Sequence, residues 1–366
     1  MRPAKTEWKL VFDFRMLSIL LLIGMVPFLV GTWWLVSSYR EFSLEAQGDT
    51  LAEVAEMASN SLNSFLENHV IKIAGLTEVP TLREAIEKSN LDLKANANEA
   101  QKKIEATEAR WRNLDYRSAE LQAILGNPAS DFLRRYTKVN TIYREIYLTD
   151  MLGRTVAATG KTSEFQHLKH SWWKEVYTEN QQGAVYIGDI HYHEGTKTYL
   201  FDIGMPFLDS QGGVMGIIMV GLDAREIHTM IGSLRVGFEG KAALIRSDGS
   251  VIFAPGYSFL SKQPFPDMQD ILKAREKGKR FVITKTKPAT ILGLNSQSFM
   301  ETYPHLDWML VISSPAAKVT ESLTNLLRNL VLLMLAVVLM TFLIALWLSH
   351  TESRPILEAD GHFEKL

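Results

Sequence analysis

Two uncharged apolar runs, one near each end of a 366-residue chain, constrain this sequence more than any other feature. Met16 to Val36 (MLSILLLIGMVPFLVGTWWLV) and Leu330 to Leu348 (LVLLMLAVVLMTFLIALWL) each supply about the 20 residues that cross a bilayer core as a helix. The competing reading of the first run is a cleaved signal peptide. Its length, and a following Ser37-Ser38-Tyr39-Arg40 without a small-x-small cleavage pattern, favour a retained span. Arg2, Lys5, Lys9 and Arg15 precede it, so the positive-inside rule puts the tail 1–15 in the cytoplasm. A second span at 330–348 returns the tail 349–366 to the same side. Trp33, Trp34 and Trp347 stand where interfacial aromatic belts belong. The expected location is the inner membrane of a bacterium, with the long segment between the spans outside the cytoplasm.

Composition says what that segment is not. Hydrophobic residues at 46% and charged residues at 22% are globular values, far from those of disordered or polytopic chains. Lys plus Arg number 39 against 41 Asp plus Glu, with no basic block, so nucleic acid is not an expected partner. The absence of cysteine excludes disulfides, thiolate metal sites and cysteine nucleophiles.

From about Ser43 to Glu78, apolar residues recur at three- and four-residue steps (Leu44, Leu51, Val54, Ala58, Leu62, Phe65, Leu66, Val70, Ile73, Leu76). That spacing predicts a helix continuing out of the first span, roughly 50 Å long, whose stripe serves a core or a homodimer seam, with Pro80 ending it. A more polar helical stretch, Thr81 to Leu125, is expected to close at an Asn127-Pro128 turn. The period then falls to two. Ile142 to Thr149, the turn 150–153 and Arg154 to Ala158 read as a hairpin, and Ala242 to Arg246, the turn 247–250 and Val251 to Ala254 repeat it. Phe201 to Leu222, turning at Asp209 to Gly212, and Ser298 to Ile312, turning at 305–307, read as two closing hairpins. From Asp150 to Asp209 is 59 residues, as from Asp248 to Asp307, and the copies are offset by 98. Two similar modules in series are expected, each a short antiparallel sheet with helical cover.

This arrangement resembles the double Cache (dCache) domains, extracytoplasmic inputs of bacterial chemoreceptors, histidine kinases and cyclic-nucleotide enzymes. The likeness rests on the helix ending in Leu76 to Ile86, on Met205-Pro206-Phe207-Leu208-Asp209 through Gly216 to Asp223, and on Tyr303 to Ile312. It implies an α+β fold with a long N-terminal stalk helix and two tandem PAS-like (Cache) modules between two transmembrane helices. The stalk and helical region take 39–135, a membrane-distal module 136–230 and a membrane-proximal module 231–325. Arg354-Pro355-Ile356 resembles the opening of a HAMP linker. The 18 residues after Leu348 hold no output domain, so the chain is expected to be either a truncated receptor or a subunit that signals through a membrane-protein partner.

Family members bind small metabolites in the distal module. Those that take amino acids share a Tyr, then Arg-x-Trp-Tyr, then a Tyr, and an Asp closing the last strand. The corresponding residues here are Phe165, His170-Ser171-Trp172-Trp173, Tyr186 and Asp223. A histidine cannot supply the bidentate fork an arginine offers a carboxylate, so the resemblance does not carry amino-acid binding to this chain. The residues expected to bind ligand are Phe165, His170, Trp172, Trp173, Tyr186, Asp189 and Asp223. Of Trp172, Trp173 and Tyr177, one aromatic is expected to wall a pocket while another fills the core. Asp223 accepts from a ligand ammonium, or else caps the helix at Ala224-Arg225-Glu226. Asp189, His191 and His193 are spaced to share one face of a strand, a possible metal site. A solvent-facing polar edge is the preferred reading of that trio, and no metal or cofactor is expected. Asp150, Asp209, Asp248 and Asp307 read as turn residues, and His228, His305 and His350 as surface or packing residues. No hydrolase, zinc-protease, Walker or dinucleotide pattern occurs, so no catalytic role is expected. The function expected is a membrane-anchored small-molecule sensor, with a non-catalytic accessory subunit that docks through its Cache-like domain as the alternative.

Overall fold

Helix α1 runs from Phe14 to Thr77 without a break, through Pro27 and past the end of the first apolar run. The computed structural model describes residues 14–95, 97–178, 184–234, 239–295, 303 and 306–363. They divide into two compact units, residues 48–314 and residues 1–47 with 315–366.

In the larger unit α1 is the core helix. Leu51, Ala55, Leu62, Leu66 and Ile73 are fully or almost fully buried, whereas Met57 and Ile71 on the other side are exposed. The stripe is therefore core within one chain. The helix ends three residues before Pro80, which opens α2 (Pro80–Ala95) as its first residue, where a missing N–H costs nothing. Helices α3 (Ala97–Trp111), α4 (Ala119–Leu125) and α5 (Pro128–Val139) follow. Asn127-Pro128 starts a helix where the sequence suggested a stop. The Asn127 side chain accepts from Ser130 N–H at 2.8 Å, and Pro128 takes the first helical position.

The first sheet contains β1 (Tyr143–Asp150), β2 (Thr155–Ala158), β3 (Tyr186–Ile187), β4 (His191–His193), β5 (Thr198–Leu208) and β6 (Val214–Asp223). Its order is β2-β1-β6-β5-β3, with β4 also on β5. Helix α6 (Ser171–Thr178) lies between β2 and β3 in sequence, and α7 (Arg225–Gly232) follows β6. The second sheet is β7 (Lys241–Arg246), β8 (Ser250–Phe253), β9 (Ser261–Pro264), β10 (Phe281–Ile283), β11 (Thr290–Leu294) and β12 (Trp308–Pro315), ordered β10-β11-β12-β7-β8-β9. Reversed, this order repeats the first sheet, with β7 and β12 central as β1 and β6 are. The repeat is thus one of topology. Beside β12 lies β11, and Ser298 to Thr302 of the expected second closing hairpin lie outside the described residues. Pro304 and His305 lie outside the described residues.

Helix α8 (Met268–Glu276) covers the second sheet on a core of Ile245, Val251, Phe265, Ile271, Leu292, Met309 and Val311. Helix α1 crosses that sheet so closely that a Cβ on Gly293 would stand 2.3 Å from the Leu51 carbonyl carbon. Only glycine fits there.

The smaller unit holds the start of α1, a short helix α9 (Ala316–Val319) and α10 (Glu321–Phe363). Leu22–Thr77 and Asn325–Ile344 include stretches long and apolar enough to cross a membrane, and their apolar windows are unburied. Gly24 and Gly31 have nothing within 4 Å of a would-be Cβ.

Candidate functional site

The sheet positions a cavity by combining two rules of strand geometry. Alternation sends Ile146 and Leu148 into the core, where both are fully buried, and leaves Glu145 and Tyr147 on the opposite face. A bulge then breaks the alternation, since Tyr143 pairs with Leu222 but Glu145 with Gly221. Tyr143 therefore faces the helices, its hydroxyl 2.9 Å from His69 Nδ1, while Glu145, two residues on, faces the other way. Gly221 also pairs with Asp202 of β5. Glu145, Gly221 and Asp202 thus form one row across β1, β6 and β5. A Cβ on Gly221 would lie 3.3 Å from Asp202 Oδ1 and 3.7 Å from Glu145 Cβ, so the glycine keeps the gap between the two acids open.

A cavity of about 230 Å³ stands over this row, lined by Glu145, Tyr147, Thr162, Ser163, His167, His170, Trp172, His191, His193 and Asp202. One wall is a run of rings. Tyr147 stacks on His167 at 4.8 Å, His167 lies 5.6 Å from Trp172, and Trp172 stacks on His170 at 6.0 Å. The facing wall holds the acids and β4. His193 Nε2 is 3.2 Å from Glu145 Oε2, and His191 Nε2 is 3.8 Å from Asp202 Oδ2.

Hydrogen bonds orient the two rings of β4. Thr196 N–H donates to His193 Nδ1 at 3.2 Å, so the His193 proton sits on Nε2 and points at Glu145. His191 Nδ1 lies 3.4 Å from the Asp189 carbonyl, and its Nε2 is turned toward Asp202.

Burial, aided by the Asp202 charge, pushes Glu145 up to about 7. Burial raises Asp202 to about 6, opposed by His191. Tyr147 is raised as well, by burial and then by the charges of Asp202, Glu145 and Glu164. Burial and His170 lower His167 to about 3, so that ring is neutral, and burial with His191 lowers His193. The cavity is acid-rich with an aromatic wall, and its His191 and Asp202 side chains keep 44% and 30% of their surface open to solvent.

Two of the residues expected to bind ligand, His170 and Trp172, line this cavity. His170 Nε2 lies 2.8 Å from Glu164 Oε2. Trp173 fills the core beneath α6, stacked on Tyr177 at 4.5 Å with its Nε1 donating to Thr149 Oγ1 at 3.4 Å. Phe165 packs on Trp111 at 5.2 Å in a neighbouring apolar cluster. Tyr186 packs around Trp173 and Val176. Asp223 is buried against Arg144 and Arg225, 2.8 and 2.6 Å from their guanidinium nitrogens. Burial pushes its carboxyl up, but those arginines outweigh it and hold it at about 2. Its Oδ1 also accepts from Arg225 N–H at 3.0 Å at the start of α7.

Asp189 departs from the expected shared face with His191 and His193, because β4 begins only at His191 and alternation does not reach back to it. Its carboxylate crosses to the second module, accepting from Arg246 Nε at 2.7 Å and from Trp308 Nε1 at 2.8 Å. His191 and His193, read from sequence as a solvent-facing edge, line the cavity with 44% and 21% of their side-chain surface still exposed. Glu145 and Asp202 were missed altogether. Asp202 had a signal, a carboxylate inside the apolar run Tyr199 to Leu208 of a central strand, whereas Glu145 depended on a bulge.

A larger groove of about 570 Å³ runs between α2, α4 and β2. The arginine it contains, Arg154, is already bonded to Asp150 Oδ2 at 2.6 Å and Ser89 Oγ at 2.8 Å.

The chain belongs to the dCache family, for the family model dCache_1, Cache domain, matches residues 39–323. Nothing among curated proteins matches the sequence. Among solved structures, the ligand-binding domain of the Campylobacter jejuni chemoreceptor Tlp3 in complex with L-norvaline is 14% identical, with a TM-score of 0.47, covering 78% of this chain and 95% of that one. The ligand-binding domain of the Pseudomonas fluorescens chemoreceptor CtaA in complex with L-isoleucine is 13% identical, with a TM-score of 0.45 over 78% of this chain and 98% of that one. That of the Pseudomonas aeruginosa PAO1 amino acid chemoreceptor PctB in complex with L-Gln is 16% identical, with a TM-score of 0.44 over 77% and 98%.

Proposed function

We propose that this chain is a membrane-anchored extracytoplasmic receptor subunit that binds a small metabolite in the first Cache module and does no chemistry on it. The first module, 136–230, is the membrane-distal one, and both tails are cytoplasmic. The observation that carries the reading is the cavity itself, walled on one side by aromatic rings and on the other by convergent polar groups with shifted protonation. At about 230 Å³ it suits a small metabolite better than a drug-sized ligand, for which pockets of roughly 300–1,000 Å³ are usual.

Occupancy is transmitted as a shift between two conformations of the domain, by no more than the ligand's difference in affinity for them. The coupling element is the segment 189–193. Its histidines face the ligand and Asp189 holds β7 and β12 of the second module. From there the signal reaches the apolar helices through α1 and α10.

The test is thermal unfolding of the full chain in detergent against amino acids, amines, organic acids and purines. A ligand at a hundred times its dissociation constant stabilises by about 2.7 kcal/mol. One class is expected to raise the midpoint, and Trp172→Ala to abolish the rise. A midpoint unmoved by every class would remove the sensor reading in favour of a docking subunit.

A further inference from the structure

We infer that the ligand is an organic cation, a protonated amine without a carboxylate, seated between Glu145 and Asp202 above Gly221. This rests on the reading of the cavity as a sensory site and names the chemistry it accepts.

The acceptors there want donors. Among the described residues no N–H or O–H donates to the Asp202 carboxylate, whose one ion-pair neighbour is His191 at 3.8 Å. At that distance His191 is a charge neighbour of the carboxylate and not a hydrogen-bond donor to it. Glu145 has His193 Nε2 as its ion-pair neighbour at 3.2 Å and keeps further lone pairs. An ammonium carries three donors and no acceptor, which matches the carboxylate oxygens of Asp202 and Glu145.

Charge points the same way. Among the described residues lining the cavity there is no Lys or Arg, and its histidines are each turned to a carboxylate, a hydroxyl or a backbone group. A ligand carboxylate would meet two acids and no fixed cation. The rings of Tyr147 and Trp172 line the same cavity, and aromatic rings attract substituted ammonium groups. Burial raises the protonation of both Glu145 and Asp202, a cost that a cation seated between them offsets.

An inorganic cation is disfavoured, because among the described residues no three His, Asp or Glu side chains group as metal ligands. Gly221 completes the seat. A side chain there would fill the space where the ammonium sits.

The experiment is calorimetric titration of the full chain in detergent with 1,4-diaminobutane, ethanolamine, L-alanine, succinate, magnesium chloride and zinc chloride. Both amines are tested at pH 6.5 in two buffers of different ionisation enthalpy. Binding of at least one amine is expected, with proton release, weakened tenfold or more by Glu145→Gln, by Asp202→Asn and by Gly221→Ala. Variants are accepted only if their unfolding remains cooperative, and Trp172→Ala provides a second route to the same cavity. Binding of succinate or alanine, abolished by Trp172→Ala while neither amine binds, would overturn the inference and leave the sensor reading intact. Amine binding untouched by Glu145→Gln and Asp202→Asn would overturn the seat, and binding of a metal salt alone would overturn the organic cation. No heat from any probe, with a melting point also flat across the wider panel, would remove both readings.

Discussion

Glu145→Gln should make the empty protein more stable above neutral pH and leave it unchanged in acid. Glu145 moves from an ordinary 4.5 to about 7 in the folded chain, mainly through burial and then through Asp202. The folded state therefore binds this proton more tightly than the unfolded state does. The contribution is fully present below about 4.5 and lost as the pH rises through about 7. At 1.36 kcal/mol for each tenfold change in proton affinity, ionised Glu145 costs about 3 kcal/mol at pH 8. This is an upper bound, since relaxation around the charge reduces it. Glutamine keeps the shape and an oxygen to accept from His193, but removes the charge. Its gain at pH 8 is about 2–3 kcal/mol, or roughly 4–10 °C in midpoint for a domain of this size. At pH 4.5 or below the two proteins should melt within about 1 °C of each other. The assay is thermal unfolding of both full chains in detergent from pH 4 to 8.5, taking the difference at each pH so that other titrating groups cancel. A variant that is destabilised equally at every pH would refute the reasoning, because it would make Glu145 a structural partner of His193 with no burdened charge.

Three further outcomes follow from the packing. Trp173→Ala should destabilise by about 3–5 kcal/mol in denaturant titration, because its ring fills the core beneath α6, whereas Trp172→Ala, at the cavity wall, should cost far less and be read in ligand binding. Asp189→Ala leaves Arg246 and the Trp308 indole N–H without this acceptor, so it should cost about 1–3 kcal/mol and hasten proteolysis between the modules. Asp189→Asn, which keeps an oxygen toward Trp308, should recover part of that loss. Gly293→Ala should lower the midpoint by several degrees, since the new methyl meets α1 backbone that cannot rotate away. A variant as stable as the parent would mean that α1 and β11 stand further apart.

Much of this architecture was legible in the sequence because it is written in periods. A stripe at three- and four-residue steps and alternation at two specify α1 and the central strands without reference to anything distant. The offset of 98 between turn aspartates reported a real repeat of topology, since the turn after β1 and the turn after β7 use the same chemistry: Asp150 Oδ1 accepts from Leu152 N–H and Asp248 Oδ1 from Ser250 N–H. A residue can serve two grammars, as at Asn127-Pro128, which follows the end of α4 at Leu125 and is also the cap and first turn of α5.

The site was less legible, and the reason is geometric. The sequence by itself determined the length of α1, the apolar ends, the two sheets and the presence of an aromatic helix, all set by local pattern and burial of apolar surface. Only the tertiary structure decided what faces what. A one-residue bulge turned Glu145 away from Tyr143, register placed it in a row with Gly221 and Asp202, and the start of β4 sent His191 into the cavity and Asp189 to the second module. Strand pairing joins residues distant in sequence, and a shift of one position exchanges the two faces of a strand. Chemistry that depends on that choice has no local signature to read.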